Sequence, residues 1–244
     1  MLKIIFQNQD FIIVEKPAGL AVHGGAGMSE PTLVGFLVEK FPEIKNVGDN
    51  PAVRPGIVHR LDKETSGVMV VARNQKTFEY LKKLFADRKI EKKYLAVVHG
   101  KLKSKTGKIE GEMGRSKKDF RRQSLVRGKI HPVESRKAGL ASPEFNRVNV
   151  RKARYSLTFY KTLRESGEKT LLEVSPKTGR MHQIRVHLQS IGHPVVGDKK
   201  YTFKQWKNDA APRLMLHAVS LGFTSAHNEK YFFECLPPPE FQKI

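Results

Sequence analysis

Apolar positions recur along this chain at two periods. Residues 2–6 and 11–15 carry the short apolar runs of two strands around the polar turn Gln7-Asn8-Gln9-Asp10, and Lys16-Pro17-Ala18-Gly19 stops the second. After the flexible loop Gly24-Gly25-Ala26-Gly27, Thr32 caps a helix with Leu33, Phe36 and Leu37 on one face, ended by Pro42. Gly35 inside that helix costs about 1 kcal/mol relative to Ala. A loop with Pro51 and Pro55 leads to His59, residues 67–72 read as a buried strand, and Phe78, Leu81, Leu84 and Phe85 return at helical spacing through about Arg88. Residues 94–99 form another strand, stopped by Gly100. Alternation resumes at Tyr155, Leu157 and Phe159, then at Leu172 and Val174. Pro176-Lys177-Thr178-Gly179 makes a turn, and residues 180–190 read as a helix closed by Gly192. Short strands and turns complete the chain to Pro237-Pro238-Pro239, with no internal repeat.

Composition adds a partner class. Forty-five Lys and Arg against 24 acidic residues give a net charge of +21, which suits a polyanion and makes nucleic acid the leading partner. Between Arg115 and Arg154 there are 13 basic residues and only three acids, Asp119, Glu134 and Glu144. Gly128, Pro132, Gly139 and Pro143 interrupt any long helix there, and apolar residues are too sparse for a second core. The expectation is one domain over residues 1–244 with a basic insertion or hairpin at about 103–154 that has an extended, mobile tip. A single cysteine, Cys235, excludes an internal disulfide or a thiolate metal cluster within one chain. No apolar stretch approaches the ~20 residues that span a bilayer, so the chain reads as a cytoplasmic, soluble protein and, by default, a monomer.

Two blocks carry chemistry. His59-Arg60-Leu61-Asp62-Lys63-Glu64-Thr65-Ser66-Gly67 sets a carboxylate between two cations before an apolar strand. A neighbouring cation lowers a carboxyl pKa by roughly 1–3 units, which favours a nucleophile or base over a proton donor. Thr178-Gly179-Arg180-Met181-His182-Gln183-Ile184-Arg185-Val186-His187 opens a helix with two arginines, two histidines and an amide. His182 and Arg185 share a face, Arg180 stands at the positive end of the dipole, and a phosphate or carboxylate is the natural guest. His182 and His187 are five apart and diverge around a helix, which argues against a metal. Lys93-Tyr94 opens a strand, where a lone Tyr is ordinarily core or edge packing.

These blocks, with Lys16-Pro17-Ala18-Gly19, Gly197-Asp198 and Tyr201, and Leu216-His217-Ala218, stand in the order and spacing of the RluA-type RNA pseudouridine synthases, which the chain resembles from about Phe11 to Ala218. The resemblance implies an α+β catalytic fold, a long bent mixed or antiparallel sheet flanked by helices and loops with a central cleft. It implies that Asp62 is the catalytic aspartate, Tyr94 the aromatic that stacks on the target base, and Arg185 the arginine paired with the aspartate. Arg60 matches the arginine that helps displace the target from its stack, and His59, Lys177, Arg180, His182 and Leu216 are expected to contact the substrate. Met181 departs from the pattern, since relatives often carry a small hydroxyl residue there. The small RNA-binding domain that many relatives carry ahead of the catalytic domain is not expected, and residues 115–154 are expected to replace it in part.

The reaction so implied isomerises uridine in ribosomal or transfer RNA. It exchanges a nitrogen–carbon for a carbon–carbon glycosidic bond with no external group, so neither cofactor nor metal is expected. Asp62 either adds to the sugar or removes a ribose proton. The alternatives are a non-catalytic RNA-binding or ribosome-assembly factor on the same fold, and a nuclease using Asp62 and His182.

Overall fold

A computed structural model describes residues 2–24, 30–116, 119, 121–132, 150–209 and 211–242. Residues 133–149 of the basic segment and most of the glycine loop after Gly24 lie outside the described residues. The chain divides into two compact units, Met1–Lys92 with His217–Pro237, and Lys93–Leu216 with Pro238–Ile244.

In the first unit, β1 (Lys3–Gln7), β2 (Phe11–Lys16) and β3 (Ser66–Ala72) pair antiparallel in sequence. Strand β9 (Leu216–Thr224) joins β3 in parallel through Ser66 and Gly67, and β10 (Lys230–Glu234) pairs antiparallel with β9. All seven residues of β3 are buried, as its continuous apolar run requires. Helix α2 (Gln75–Ala86) buries Phe78, Leu81 and Leu84, while Asn74 caps it by accepting the Thr77 N–H at 2.9 Å. Helix α1 (Leu33–Lys40) starts at the expected Thr32 cap but turns only Leu33 and Leu37 inward. Phe36, expected on the same face, is 44% exposed: one residue short of a full i, i+4 step places it at the edge of the stripe.

The second unit is antiparallel throughout, in the order β4 (Glu91–His99), β8 (Lys169–Pro176), β7 (Val150–Ser166), β5 (Thr106–Ser116), β6 (Gln123–Pro132). The basic segment therefore begins as a real hairpin, β5–β6. Helix α3 (Gln183–Ser190) packs on these strands, with Val186 in a cluster with Met113, Leu125 and Tyr201. It is shorter than expected at its N-terminus, because His182 takes a left-handed conformation (φ 56°) and residues 180–182 form a turn ahead of the helix. Gly192, at φ 90°, follows its C-terminus as expected.

Candidate active site

The first unit holds the loop that carries Asp62. Leu61 is buried and anchors this loop, Asp62 is half-buried, and the Thr65 N–H returns to the Asp62 carbonyl at 3.1 Å. The strongest constraint on the loop comes from Lys16, whose side chain is wholly buried. Its ammonium donates to the carbonyls of Pro17 (2.8 Å), Leu20 (2.8 Å) and Lys63 (3.1 Å), and the Gly19 N–H reaches the same Lys63 carbonyl at 2.8 Å. A buried ammonium is tolerated only when such oxygens replace its water. Here three carbonyls do so, and one of them belongs to the residue after Asp62. The motif that looked like a strand stop is thus a clamp on the aspartate's neighbour.

Downstream of the loop, the fold leaves no room for a side chain at residue 67. Gly67 has φ 126°, and a Cβ there would lie 2.2 Å from the Ala218 carbonyl oxygen. His217, next along β9, has Nδ1 2.7 Å from Ser66 Oγ and Nε2 3.0 Å from the Cys235 carbonyl. A carbonyl can only accept, so Nε2 carries a proton.

The two cations beside Asp62 do not act as the sequence suggested. Lys63 turns to Glu30 (2.5 Å), and Arg60, exposed, sets Nη1 3.4 Å from His23 Nε2. Neighbours in an extended loop point different ways, so adjacency in sequence does not become contact. Burial first, then the charges of Arg60 and Arg54, lower the His23 pKa, which favours the neutral ring that can accept from Arg60. His59 also serves the fold. Its ring stacks on Phe85 with centroids 4.6 Å apart, and its Nε2 accepts the Val70 N–H at 3.1 Å. His59 is half-buried, and burial, then the charge of Lys92, pushes its pKa down to about 3. His59 is held neutral and supports the loop through these contacts.

The second unit holds Tyr94 and Arg185. Tyr94 is half-buried on β4, opposite Val174 of β8, and Lys93 beside it pairs with Glu173 at 3.2 Å. Arg185 is 1% exposed and forms a two-pronged ion pair with Asp198, Nε to Oδ2 at 2.7 Å and Nη2 to Oδ1 at 2.8 Å. Asp198 also accepts the backbone N–H groups of Lys200 (2.8 Å) and Tyr201 (2.9 Å). Burial pushes its carboxyl up, but the Arg185 hydrogen bond and charge, with those two N–H groups, outweigh burial and bring it below the usual value. Gly197 allows the approach: at φ 75°, a Cβ would sit 2.0 Å from the Arg213 carbonyl oxygen. The face of the guanidinium lies against Tyr201, with Cζ 5.2 Å from the ring centroid.

Over residues 178–187, several of the polar side chains also bind the fold itself. Gln183 is buried: its Oε1 accepts from Thr178 Oγ1 (2.7 Å) and the Arg180 N–H (3.0 Å), while its Nε2 donates to the Leu157 carbonyl (3.1 Å) and Thr158 Oγ1 (2.9 Å). That amide holds the turn on β7. His187 is fully buried, with Nε2 2.8 Å from Ser156 Oγ, and burial pushes its pKa down to about 3. Arg180 Nε donates to the Tyr155 carbonyl, His182 Nδ1 lies 2.8 Å from the Tyr201 hydroxyl, and Lys177 is exposed. Leu216 is 3% exposed and packs in the core of the second unit. Sequence reasoning gave Asp198 and Tyr201 no individual role. The only signal was their place in the Gly197-Asp198, Tyr201 block. Among the described residues, no group of three or more His, Cys, Asp or Glu is placed to hold a metal, and no helix is long and apolar enough to cross a membrane.

The chain is similar to several known proteins. The family model described as RNA pseudouridylate synthase matches residues 10–190. An RNA pseudouridine synthase of Aquifex aeolicus (strain VF5) is 38% identical over 256 residues, spanning 100% of this chain and 72% of that protein. The ribosomal large subunit pseudouridine synthase D of Nitrosomonas europaea is 35% identical over 245 residues, covering 98% of this chain and 62% of that protein. Among solved structures, human RNA pseudouridylate synthase domain containing 1 superposes with a TM-score of 0.74 at 26% identity, over 98% of this chain and 84% of that one.

Proposed function

From the premise that the chain belongs to the RNA pseudouridylate synthase family, we propose that Asp62, Tyr94 and Arg185 act on one uridine of large-subunit ribosomal RNA. The family makes the protein an isomerase of RNA. The choice of ribosomal over transfer RNA follows the names of relatives such as the one from Nitrosomonas europaea.

The residue that carries the reading is Asp62, a half-buried carboxylate on a loop clamped through the next residue's carbonyl. Isomerisation breaks the bond from ribose C1′ to uracil N1, turns the base, and joins C1′ to C5. The proton leaving C5 and the proton gained at N1 balance, so no oxidant or external group enters. Asp62 supplies the carboxylate that acts at the ribose. Tyr94 stacks on the extruded base, where such contacts return about 1–3 kcal/mol of the few kcal/mol that flipping costs. Arg185, whose guanidinium Asp198 holds through two N–H donors, serves the same reaction as a fixed cation. Arg60 enters the stack as the base leaves, and Arg180, His182 and Lys177 contact the backbone, with His59 and Leu216 supporting from behind.

The two compact units work as one catalytic domain, and the basic β5–β6 hairpin with the residues that follow supplies phosphate contacts. The protein works as a monomer in the cytoplasm. That location suits its one thiol, Cys235, which is buried and pushed up to about 12 by burial and Glu15. The test is to incubate the protein with unmodified large-subunit ribosomal RNA and transfer RNA transcripts and map pseudouridine by carbodiimide-dependent primer-extension stops. A new stop in the ribosomal transcript alone is expected. Modification confined to transfer RNA, or none, contradicts the proposal.

A further inference from the structure

We propose that Tyr201 is the positioning residue through which the charged tip of the β5–β6 hairpin is tied to Arg185, so that seating RNA on the tip and aiming the arginine are one event. The inference rests on the functional reading above and extends it to how binding is converted into rate.

Tyr201 is 3% exposed and makes four connections that meet nowhere else in the described residues. Its hydroxyl accepts the Gln123 backbone N–H at 2.8 Å. Gln123 is the first residue of β6 and pairs with Arg115 of β5, so this bond grips the hairpin at the neck of its tip. Immediately before Gln123 stand Arg121 and Arg122, both largely exposed, with Arg121 reaching Asp119 at 3.1 Å. The same hydroxyl meets His182 Nδ1 at 2.8 Å, in the turn that starts α3. The ring faces the Arg185 guanidinium, and the Tyr201 N–H binds the carboxylate that holds Arg185 from the other edge. Met113, Leu125 and Val186 pack around the ring, so the hairpin cannot shift at its neck without moving Tyr201.

Surface charge at Arg121 and Arg122 can bind phosphate from almost any loop. What is unusual is that their strand enters the sheet through a hydroxyl whose ring lies on the buried arginine. Releasing the part-buried Gln123 N–H from the Tyr201 hydroxyl costs a hydrogen bond, so tip and ring move together.

The experiment compares four proteins, namely wild type, Tyr201→Phe, Arg121→Gln with Arg122→Gln, and the triple variant. For each, affinity for a substrate transcript and the single-turnover rate at saturating RNA are measured. Tyr201→Phe keeps the ring over Arg185 and loses the hydroxyl. It should keep RNA affinity within about threefold and lose about 10- to 100-fold in rate, the scale of a small misplacement near the chemistry. Neutralising the tip should weaken binding and also lower the saturated rate in wild type, yet lower only binding in the Tyr201→Phe background. Rate losses that multiply independently, or a Tyr201→Phe enzyme at the wild-type rate, overturn the inference. A wild type that binds RNA but never isomerises it overturns the functional reading instead, and this inference with it. Should Tyr201→Phe not fold, wild type carries the test. RNA must slow hydrogen exchange at the Gln123 amide several-fold, and unchanged exchange overturns the inference.

Discussion

Arg185 and Asp198 form a buried, two-pronged ion pair, 2.7 and 2.8 Å, inside the second unit. The pair fixes the plane of the guanidinium before any RNA arrives. Asp198 can do this because two backbone N–H groups satisfy it as well, so the arginine is not its sole support. Removing one partner of such a pair strands a charge, and Asp198→Ala should cost about 3–5 kcal/mol in urea unfolding. Asp198→Asn keeps the shape and should cost less, while still losing most activity.

The same pair sets an acid limit. The folded pKa of Asp198 lies below its ordinary value, so its contribution is complete above the unfolded carboxyl pKa of about 3.9 and is lost as pH falls through the lower folded value. Unfolding free energy measured from pH 6 down to pH 2 should therefore drop below about pH 4. The Asp198→Asn protein should show a shallower drop over that window.

Lys16 acts at a distance from chemistry through the chain itself. In Lys16→Met the carbonyls of Pro17, Leu20 and Lys63 lose their shared donor. Each hydrogen bond to a charged group is worth about 1.5–3 kcal/mol in favourable settings, partly offset here by no longer burying the ammonium. The expected result is a protein destabilised by about 1–3 kcal/mol, with RNA affinity near wild type and a rate at saturating RNA reduced more than tenfold.

Gly67→Ala tests the strand junction. Its Cβ would meet the Ala218 carbonyl at 2.2 Å on a backbone at φ 126°, so β3 and β9 must separate. Loss of soluble, cooperatively folding protein is expected, read by thermal melting.

Much of the fold was legible because it depends on period and caps. The burial of β3, the cap at Thr32 and the apolar stripe of α2 each follow from a few neighbouring residues. The motif loop with Asp62 was also visible. What escaped were relations made across long separations or by backbone groups. Lys16 lies 47 residues from Lys63, whose carbonyl is one of the three it holds, and Arg185 lies 13 from Asp198. The left-handed His182 shortened α3, and Gln183 and His187 were spent on β7, because a pattern of polar residues does not say which of them the fold needs for itself. Lys63 and Arg60 turned from Asp62 for the same reason.

The most direct test of the whole account is tritium release from RNA labelled at uracil C5, since forming the C1′–C5 bond expels that hydrogen to water. Wild type, Asp62→Ala and Asp62→Asn would be compared at saturating transcript. Release by wild type, with none detectable above background from either variant while both bind RNA within about threefold of wild type, is the predicted result. Release by an Asp62 variant at a rate near wild type would contradict the account.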